Sequence, residues 1–153
     1  MKPHLLDYFP NRFPGGTGPT MRLLGGSSSN TSDRRCEEMV QHLVNNSSEV
    51  RLLIGAMRGM GCNFQLKRHI SCETCGSGCN GGYDPDTNQI VICSNRSRLQ
   101  GVVMSTLVHE MIHMFDYCRA KLDFSKLEHI ACSEVSINYL KTNHVNSSHQ
   151  VLN

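Results

Sequence analysis

Two histidines four residues apart, with a glutamate beside the first, are the residues of this chain best suited to chemistry. His109, Glu110 and His113 form the pattern H-E-x-x-H. Positions four apart lie on nearly the same side of an α-helix, so both imidazoles can reach one metal ion. Zinc bound in this way leaves room for a water molecule, whose pKa the metal lowers. Glu110 could then take the proton from that water as it attacks a peptide carbonyl, so the motif predicts a catalytic zinc site.

Zinc peptidases need a third protein ligand, and the sequence offers two candidates downstream of the motif. Ser125 and Glu128 have the spacing of a capping box, which predicts that a helix begins there. That helix carries Glu134, the preferred third ligand, and His129, the rival, for which an ordinary helix position is the alternative interpretation. The side chains of this helix that are expected to face inward are Leu127, Ile130 and Ala131.

Asp116 and Tyr117 follow the motif on the same helix. Asp116 lies on the face of His109 and His113 but one turn farther along, and a helix rises about 1.5 Å per residue. Its carboxylate is therefore expected to orient a metal ligand rather than to bind the metal itself. Tyr117 could assist an oxyanion, although a surface tyrosine is the favoured interpretation.

The helix that carries the motif is predicted from Leu99 to Arg119, because apolar side chains recur along it at spacings of three and four. These side chains are Val103, Leu107, Met111 and Met114. Two further core helices are predicted upstream, separated by a break at 45–48 that also supplies an N-cap. Their apolar stripes are Cys36, Met39, Val40, Leu43 and Val44 in the first helix and Val50, Leu53, Ile54 and Met57 in the second.

Strands are predicted between these helices and the motif. Alternating residues from Phe64 to Ile70 predict one strand, and the turn formers of 84–88, between Tyr83 and residues 90–92, predict a hairpin. A strand is expected to feed directly into the motif helix, and its free edge beside the metal could pair with an extended substrate backbone. The expected fold is α+β: a zincin-like single domain with helices packed on a small antiparallel or mixed sheet.

Length and charge narrow the class of protein. A chain of 153 residues with 39% hydrophobic content suits one domain, and a net charge of +2 gives no reason to expect direct nucleic-acid binding. Residues 1–33 hold every proline except Pro85 and are expected to form a disordered arm. Residues 34–140 are expected to form the metallopeptidase domain, and 141–153 a polar tail. No stretch is apolar for long enough to span a bilayer, although the domain can sit on a membrane surface.

The chain has eight cysteines, for which there are two interpretations. The segment Cys72-x-x-Cys75-x-x-x-Cys79, with Cys62 and Cys93 near it, is compatible with a thiolate zinc knuckle. The even total and wide spread instead fit disulfides in an oxidising compartment. We favour disulfides, because a knuckle would not recruit the three cysteines on predicted helices, Cys36, Cys118 and Cys132. The pairing stays open.

A resemblance to a known family covers about Cys36 to Val135, and five segments carry it. They are Cys-Glu-Thr-Cys from Cys72, Gly-Gly-Tyr-Asp from Gly81, Gln-Ile-Val-Ile-Cys from Gln89, Leu-Val-His-Glu-Met-Ile-His-Met-Phe-Asp from Leu107 and His-Ile-Ala-Cys-Ser-Glu from His129. Together they closely resemble the mitochondrial inner-membrane metallopeptidases that mature, and help assemble, a membrane subunit of the F-type ATP synthase. The vertebrate members are also called Ku-binding proteins.

The resemblance implies roles for residues and a location for the chain. By resemblance, His109 and His113 bind zinc and Glu110 is the catalytic acid and base. The resemblance also implies peripheral attachment to the inner membrane on the intermembrane-space side, where disulfides form after import. It implies a precursor of the ATP synthase subunit as substrate and the Ku complex as a further partner.

The sequence departs from this family after Val135, where it reads Ser-Ile-Asn-Tyr-Leu and then a polar end. Relatives continue there with an Arg-Ala-rich helix and a Ser-Gly-Asp-Cys segment, so we interpret this end as divergent or truncated. Cysteines that would pair with those of this chain are missing, and at least one thiol is expected to stay unpaired. Two classes of function remain open: a zinc endopeptidase of the mitochondrial intermembrane space, and a non-catalytic assembly chaperone or Ku-binding module whose metal only holds the fold.

Overall fold

The computed structural model describes Leu24, residues 30–76 and residues 78–149, with side chains described as far as residue 140. The described chain is α+β, as predicted. Its helices and strands, in chain order, are α1 (Thr31–Asn46), α2 (Ser48–Gly59), α3 (Leu66–His69), β1 (Ile70–Glu73), β2 (Gly81–Asp84), β3 (Gln89–Cys93), α4 (Gln100–Ala120) and α5 (Leu127–His149).

The three strands form one mixed sheet in the order β1-β3-β2. β1 runs parallel to β3, with Ile70 opposite Ile90, and β2 runs antiparallel to β3, with Tyr83 opposite Ile90. The strand that leads into the motif helix, β3, is therefore central, and all of its residues are buried. Our expectation of a free edge on that strand is wrong, because β1 occupies the other side of β3. Within the described sheet, β2 is the edge strand that packs on α4.

The predicted hairpin is confirmed, and the Asp84 carboxylate holds its turn. Asp84 Oδ1 accepts the backbone N–H of Asp86 at 3.0 Å, and Asp84 Oδ2 accepts the Thr87 hydroxyl at 2.6 Å. Asn88 takes a left-handed conformation with φ of 51°, which asparagine tolerates better than most residues. These contacts reverse the chain between β2 and β3.

The predicted motif helix is confirmed in α4, which packs against α1, α2, β2 and β3. The side chains predicted to face the core, Val103, Leu107, Met111 and Met114, are all buried. The two upstream core helices are confirmed as well. Ser47 ends α1 and caps α2, since its hydroxyl accepts the backbone N–H of Val50 at 3.3 Å.

The strand predicted over Phe64–Ile70 is wrong. A single helical turn, α3, occupies most of it, and β1 begins only at Ile70. Local hydrogen bonds favour the turn: the Gln65 N–H donates to His69 Nδ1 at 2.8 Å, and the His69 N–H donates to the Gln65 carbonyl at 2.9 Å. The His69 side chain thus closes the turn by accepting a backbone N–H four residues earlier in the chain. A pattern of alternating apolar residues does not reveal such a hydrogen bond.

The cysteines form three disulfides, which confirms the favoured interpretation over the zinc knuckle. The pairs are Cys36–Cys72, Cys62–Cys118 and Cys75–Cys93. Cys79 and Cys132 are free, in agreement with the expected unpaired thiol. Cys79 is half-buried, and burial raises the pKa of its thiol, whereas Cys132 is exposed on α5. The bonds tie α1 to β1, the loop after α2 to α4, and the loop after β1 to β3.

The first and last described helices reach beyond residues 34 and 140, while the division into arm, domain and tail stays a prediction. α1 begins at Thr31, three residues before the expected start at residue 34, because the Asn30 side chain caps it by accepting the Ser32 N–H at 2.9 Å. Leu24 is buried and its N–H donates to the Lys67 carbonyl, while most of the predicted arm lies outside the described residues. At the other end, the backbone of α5 continues past residue 140.

Across the described residues, no helix combines the length and apolar character needed to cross a membrane.

Gly81 lets β2 approach α4 closely. A Cβ atom at this position would lie 2.5 Å from the Thr106 Cγ2 and 2.5 Å from the Val91 carbonyl oxygen, which belongs to the central strand. We expect Gly81→Ala to lower the free energy of unfolding by about 1–3 kcal/mol, measured by chemical denaturation, because the buried backbone has little room to move. The matched control is Gly101→Ala in α4, where a Cβ would meet nothing within 4 Å. It should raise stability by up to about 1 kcal/mol. Equal stability of the two variants would contradict the close approach.

Candidate metal centre and cleft

The two histidines of the motif converge on one side of α4. His109 Nε2 lies 3.2 Å from His113 Nε2, and their ring centroids are 4.9 Å apart. Burial lowers the pKa of His113 below its ordinary value, and His109 beside it lowers the pKa further, against Glu134 and Asp116, which raise it. These influences favour the neutral imidazole, which is the form that binds a metal.

α5 packs against α4 and brings Glu134 to the two histidines. Glu134 Oε1 lies 3.3 Å from His113 Nε2 and 3.8 Å from His109 Nε2. A tetrahedral zinc ion with bonds of about 2.0–2.1 Å holds its ligand atoms about 3.3 Å apart. Two of the three donor separations, 3.2 and 3.3 Å, match that spacing, and the third, 3.8 Å between His109 Nε2 and Glu134 Oε1, is longer. The residues present therefore fit a zinc ion.

His129, the rival ligand, lies away from this group. Its Nδ1 accepts the backbone N–H of Asp123 at 2.8 Å, so the side chain closes the connection between α4 and α5. The group of donors found among the described residues contains His109, His113 and Glu134 but not His129. The structure thus brings the preferred third ligand to the motif and leaves the rival outside.

The helix predicted to start near Ser125 is confirmed, and it begins at Leu127. The Ser125 hydroxyl donates to the Asp123 carboxylate at 2.6 Å in the connection before it. Of the three side chains expected to face inward, Ile130 is half-buried, but Leu127 and Ala131 are exposed, so the prediction is wrong for these two. Among the side chains described for this helix, Ser133 and Ile137 are buried. The inward face therefore follows positions 130, 133 and 137 and leaves 127 and 131 in solvent.

Glu110 lines a cleft beside the donor group. The cleft has a volume of about 210 Å³, and its lining residues are Tyr83, Glu110, His113, Phe124, Ile130 and Glu134. Glu110 is only 9% exposed, so its carboxylate faces this cleft from a largely buried position. A larger cavity of about 630 Å³ lies beside Phe64 and Arg68 and contains none of the three donors. The chemistry of the motif therefore belongs to the smaller cleft.

Aromatic rings form one wall of the cleft. The Phe124 ring meets the rings of His113 and Tyr83 edge to face, with centroids 5.8 and 5.9 Å apart. Tyr117 stacks on Phe124 and is half-buried, which differs from the favoured interpretation of a surface tyrosine. It is not among the residues that line the cleft with Glu110. Tyr83 donates its hydroxyl to Asn88 Oδ1 at 2.7 Å, and burial raises its pKa.

A buried hydrogen-bond network lies behind His113. His113 Nδ1 is 2.8 Å from Ser133 Oγ, and Ser133 Oγ is 2.9 Å from Asp116 Oδ2. The other carboxylate oxygen of Asp116 receives the Arg119 Nε at 2.7 Å and the Arg119 Nη2 at 2.7 Å. Asp116 thus reaches the histidine through a serine and lies away from the group of donor atoms.

Ser133 was not predicted from the sequence as part of this site, nor were Arg119 or the cleft residues Tyr83 and Phe124. A signal was available, because a helix that turns Glu134 toward the histidines also turns positions 130, 133 and 137 toward α4. The predicted inward face instead combined Ile130 with Leu127 and Ala131, and the latter two are exposed. No hydrogen-bond partner for Ser133 was therefore predicted from the sequence.

Comparison with known proteins identifies the family of the chain. The model of the peptidase M76 family matches residues 34–150. The chain belongs to the peptidase M76 family. Among M76 relatives, the mitochondrial inner membrane protease ATP23 homolog of Danio rerio is 42% identical over 106 residues, which are 69% of this chain and 42% of that protein. The Mus musculus homolog is 42% identical over 110 residues, 71% of this chain and 55% of its own. The Schizosaccharomyces pombe protease is 38% identical over 102 residues, 67% of this chain and 54% of its own.

This member of the M76 family spans about half the length of the curated relatives that it matches. No solved structure matches the chain. Sequence similarity therefore supports membership of the family, and the geometry of the site is described from this structure alone.

Proposed function

We propose that the chain is a zinc-dependent endopeptidase with a zincin-like fold. The observation that carries the proposal is the convergence of His109 Nε2, His113 Nε2 and Glu134 Oε1 beside a cleft lined by Glu110. Three protein donors leave a tetrahedral ion with one open position, which is the arrangement of a catalytic zinc site. Membership of a peptidase family supports the same reaction.

The chain's own residues divide the work of peptide hydrolysis. Zinc held by His109, His113 and Glu134 would polarise the scissile carbonyl and lower the pKa of a water molecule. Glu110 takes a proton from the attacking water and delivers it to the leaving amine, as a general base and then a general acid. Its position on the wall of the same cleft gives it access to both groups.

We propose that substrate binds as an extended segment along β2. Tyr83 of this strand lines the cleft, and β2 has a single partner, β3, among the described strands. An extended peptide can pair with such an edge and bring its backbone past the metal donors. The rings of Tyr83 and Phe124 would contact apolar substrate side chains next to the scissile bond.

We further propose a precursor of a membrane subunit of the F-type ATP synthase as substrate, and a peripheral position on the inner membrane, facing the intermembrane space. The names of the relatives, which are mitochondrial inner membrane proteases, support the location. The three disulfides support an oxidising compartment. A role in assembly of that complex, and binding to the Ku complex, stay predictions from the resemblance.

Removal of the metal tests the proposal. We expect the full chain, with its disulfides formed, to bind one zinc ion and to cleave unstructured peptides. A strong chelator should abolish cleavage, and added zinc should restore it, while circular dichroism shows a folded chain throughout. Cleavage that persists in the zinc-free protein would contradict a metallopeptidase. A folded, zinc-loaded chain that cleaves nothing would instead support the binding or assembly module with a structural metal.

A further inference from the structure

We infer that Arg119, Asp116 and Ser133 act as positioning residues that fix the tautomer of His113, with the proton on Nδ1 and the lone pair of Nε2 turned toward the metal donors. This inference rests on the proposed function, because it assigns the network to a metal ligand. It adds a serine and an arginine whose role the motif alone does not reveal.

The charged pair Arg119–Asp116 determines which group donates in each hydrogen bond of the network. Arg119 directs two N–H donors to Asp116 Oδ1, each at 2.7 Å. Asp116 is 2% exposed, and its second oxygen, Oδ2, faces Ser133. A carboxylate paired with a guanidinium accepts hydrogen bonds and has none to give. The Ser133 hydroxyl proton therefore points to Asp116.

Ser133 in turn determines which ring nitrogen of His113 carries the proton. Ser133 is 1% exposed, so no bulk water competes for its hydroxyl. A hydroxyl has one proton, and once that proton is donated to Asp116 the oxygen can only accept from His113 Nδ1, 2.8 Å away. The neutral ring then carries its proton on Nδ1. Its Nε2, which lies 3.3 Å from Glu134 Oε1, keeps the lone pair that a metal needs.

Asp116→Asn should reverse the network without changing its shape. Arg119 donates to the oxygen at the Oδ1 position, so the asparagine carbonyl belongs there and its NH2 group faces Ser133. Ser133 would then accept from that NH2 group and donate its own proton to His113 Nδ1. The ring would carry its remaining proton on Nε2, which blocks the metal-binding nitrogen.

The test measures zinc affinity and the tautomer separately. Zinc affinity of the full, disulfide-bonded chain is measured by competition with a chelating indicator. The tautomer of His113 is read from ¹⁵N chemical shifts of the metal-free chain. We expect Ser133→Ala and Asp116→Asn each to weaken zinc binding by about 10–100-fold. In Asp116→Asn the proton should move from Nδ1 to Nε2. The matched control is Ser136→Ala on the same helix, whose hydroxyl donates to the Cys132 carbonyl at 3.3 Å. It should leave both readouts unchanged.

The outcomes separate this inference from the proposed function. Folded variants that bind zinc as tightly as the parent chain, or a parent chain with the His113 proton on Nε2, would overturn the inference and leave the peptidase proposal intact. A parent chain that binds no zinc would overturn the proposed function, and the ¹⁵N shifts would still decide the tautomer. A shifted tautomer in Asp116→Asn, together with weaker zinc binding, supports the inference, because a residue that only packs the core would not move a ring proton.

Discussion

Glu110→Gln is expected to lower kcat/KM for peptide cleavage by about 100-fold or more while zinc stays bound. Glutamine has the size and shape of glutamate, so the cleft keeps its form, but an amide cannot accept the proton of the attacking water. Glu110 is not one of the three converging donors, which is why the metal should remain. Cleavage rates are measured with a peptide substrate, and zinc content by elemental analysis of the same samples.

The control for this variant is Glu128→Gln, the same chemical change at an exposed position in the first turn of α5. It should leave both cleavage and zinc content at the level of the parent chain. If Glu110→Gln retains zinc and full activity, Glu110 is not the general base and the proposed mechanism is wrong. Loss of zinc in Glu110→Gln would assign this residue to the metal instead.

Glu134→Ala is expected to abolish cleavage and to lower zinc affinity by more than about 100-fold. Loss of a group that only orients a metal ligand lowers metal affinity by about 10–100-fold. The reason is geometric. Glu134 Oε1 lies 3.3 and 3.8 Å from the two histidine nitrogens, and its removal leaves two protein donors where catalytic zinc sites have three. The same chelator competition measures the affinity.

His129→Ala is the matched control, since it truncates the rival ligand on the same helix. His129 accepts a backbone N–H from Asp123, so its loss should cost about 0.5–1.5 kcal/mol of stability. Zinc affinity should not change. The reverse result, with zinc lost in His129→Ala and kept in Glu134→Ala, would overturn the assigned donor set and the packing of α5 from which it follows.

Helices with a strong apolar stripe could be predicted closely from the sequence. For α4, Val103, Leu107 and Met111 recur every four residues, so they share one face of a helix, and all three are buried. The caps of α1 and α2 depend on side chains within three residues, so local sequence contains the information. The short turn of α3 was mistaken for a strand, because the bond from the Gln65 N–H to His69 is invisible to a pattern of alternation.

The amino-acid sequence by itself determined the part of the site that lies within one helix. His109, Glu110 and His113 share a face because of the helical repeat, and no tertiary contact is needed to bring them together. Tertiary structure decided what joins two elements: which face of α5 turns to α4, and hence the place of Glu134 and the hydrogen bond between His113 and Ser133. It likewise decided which cysteines pair, and that β3 is central in the sheet. The physical reason is that such contacts depend on how whole faces pack, whereas a sequence motif reports only the spacing along its own helix.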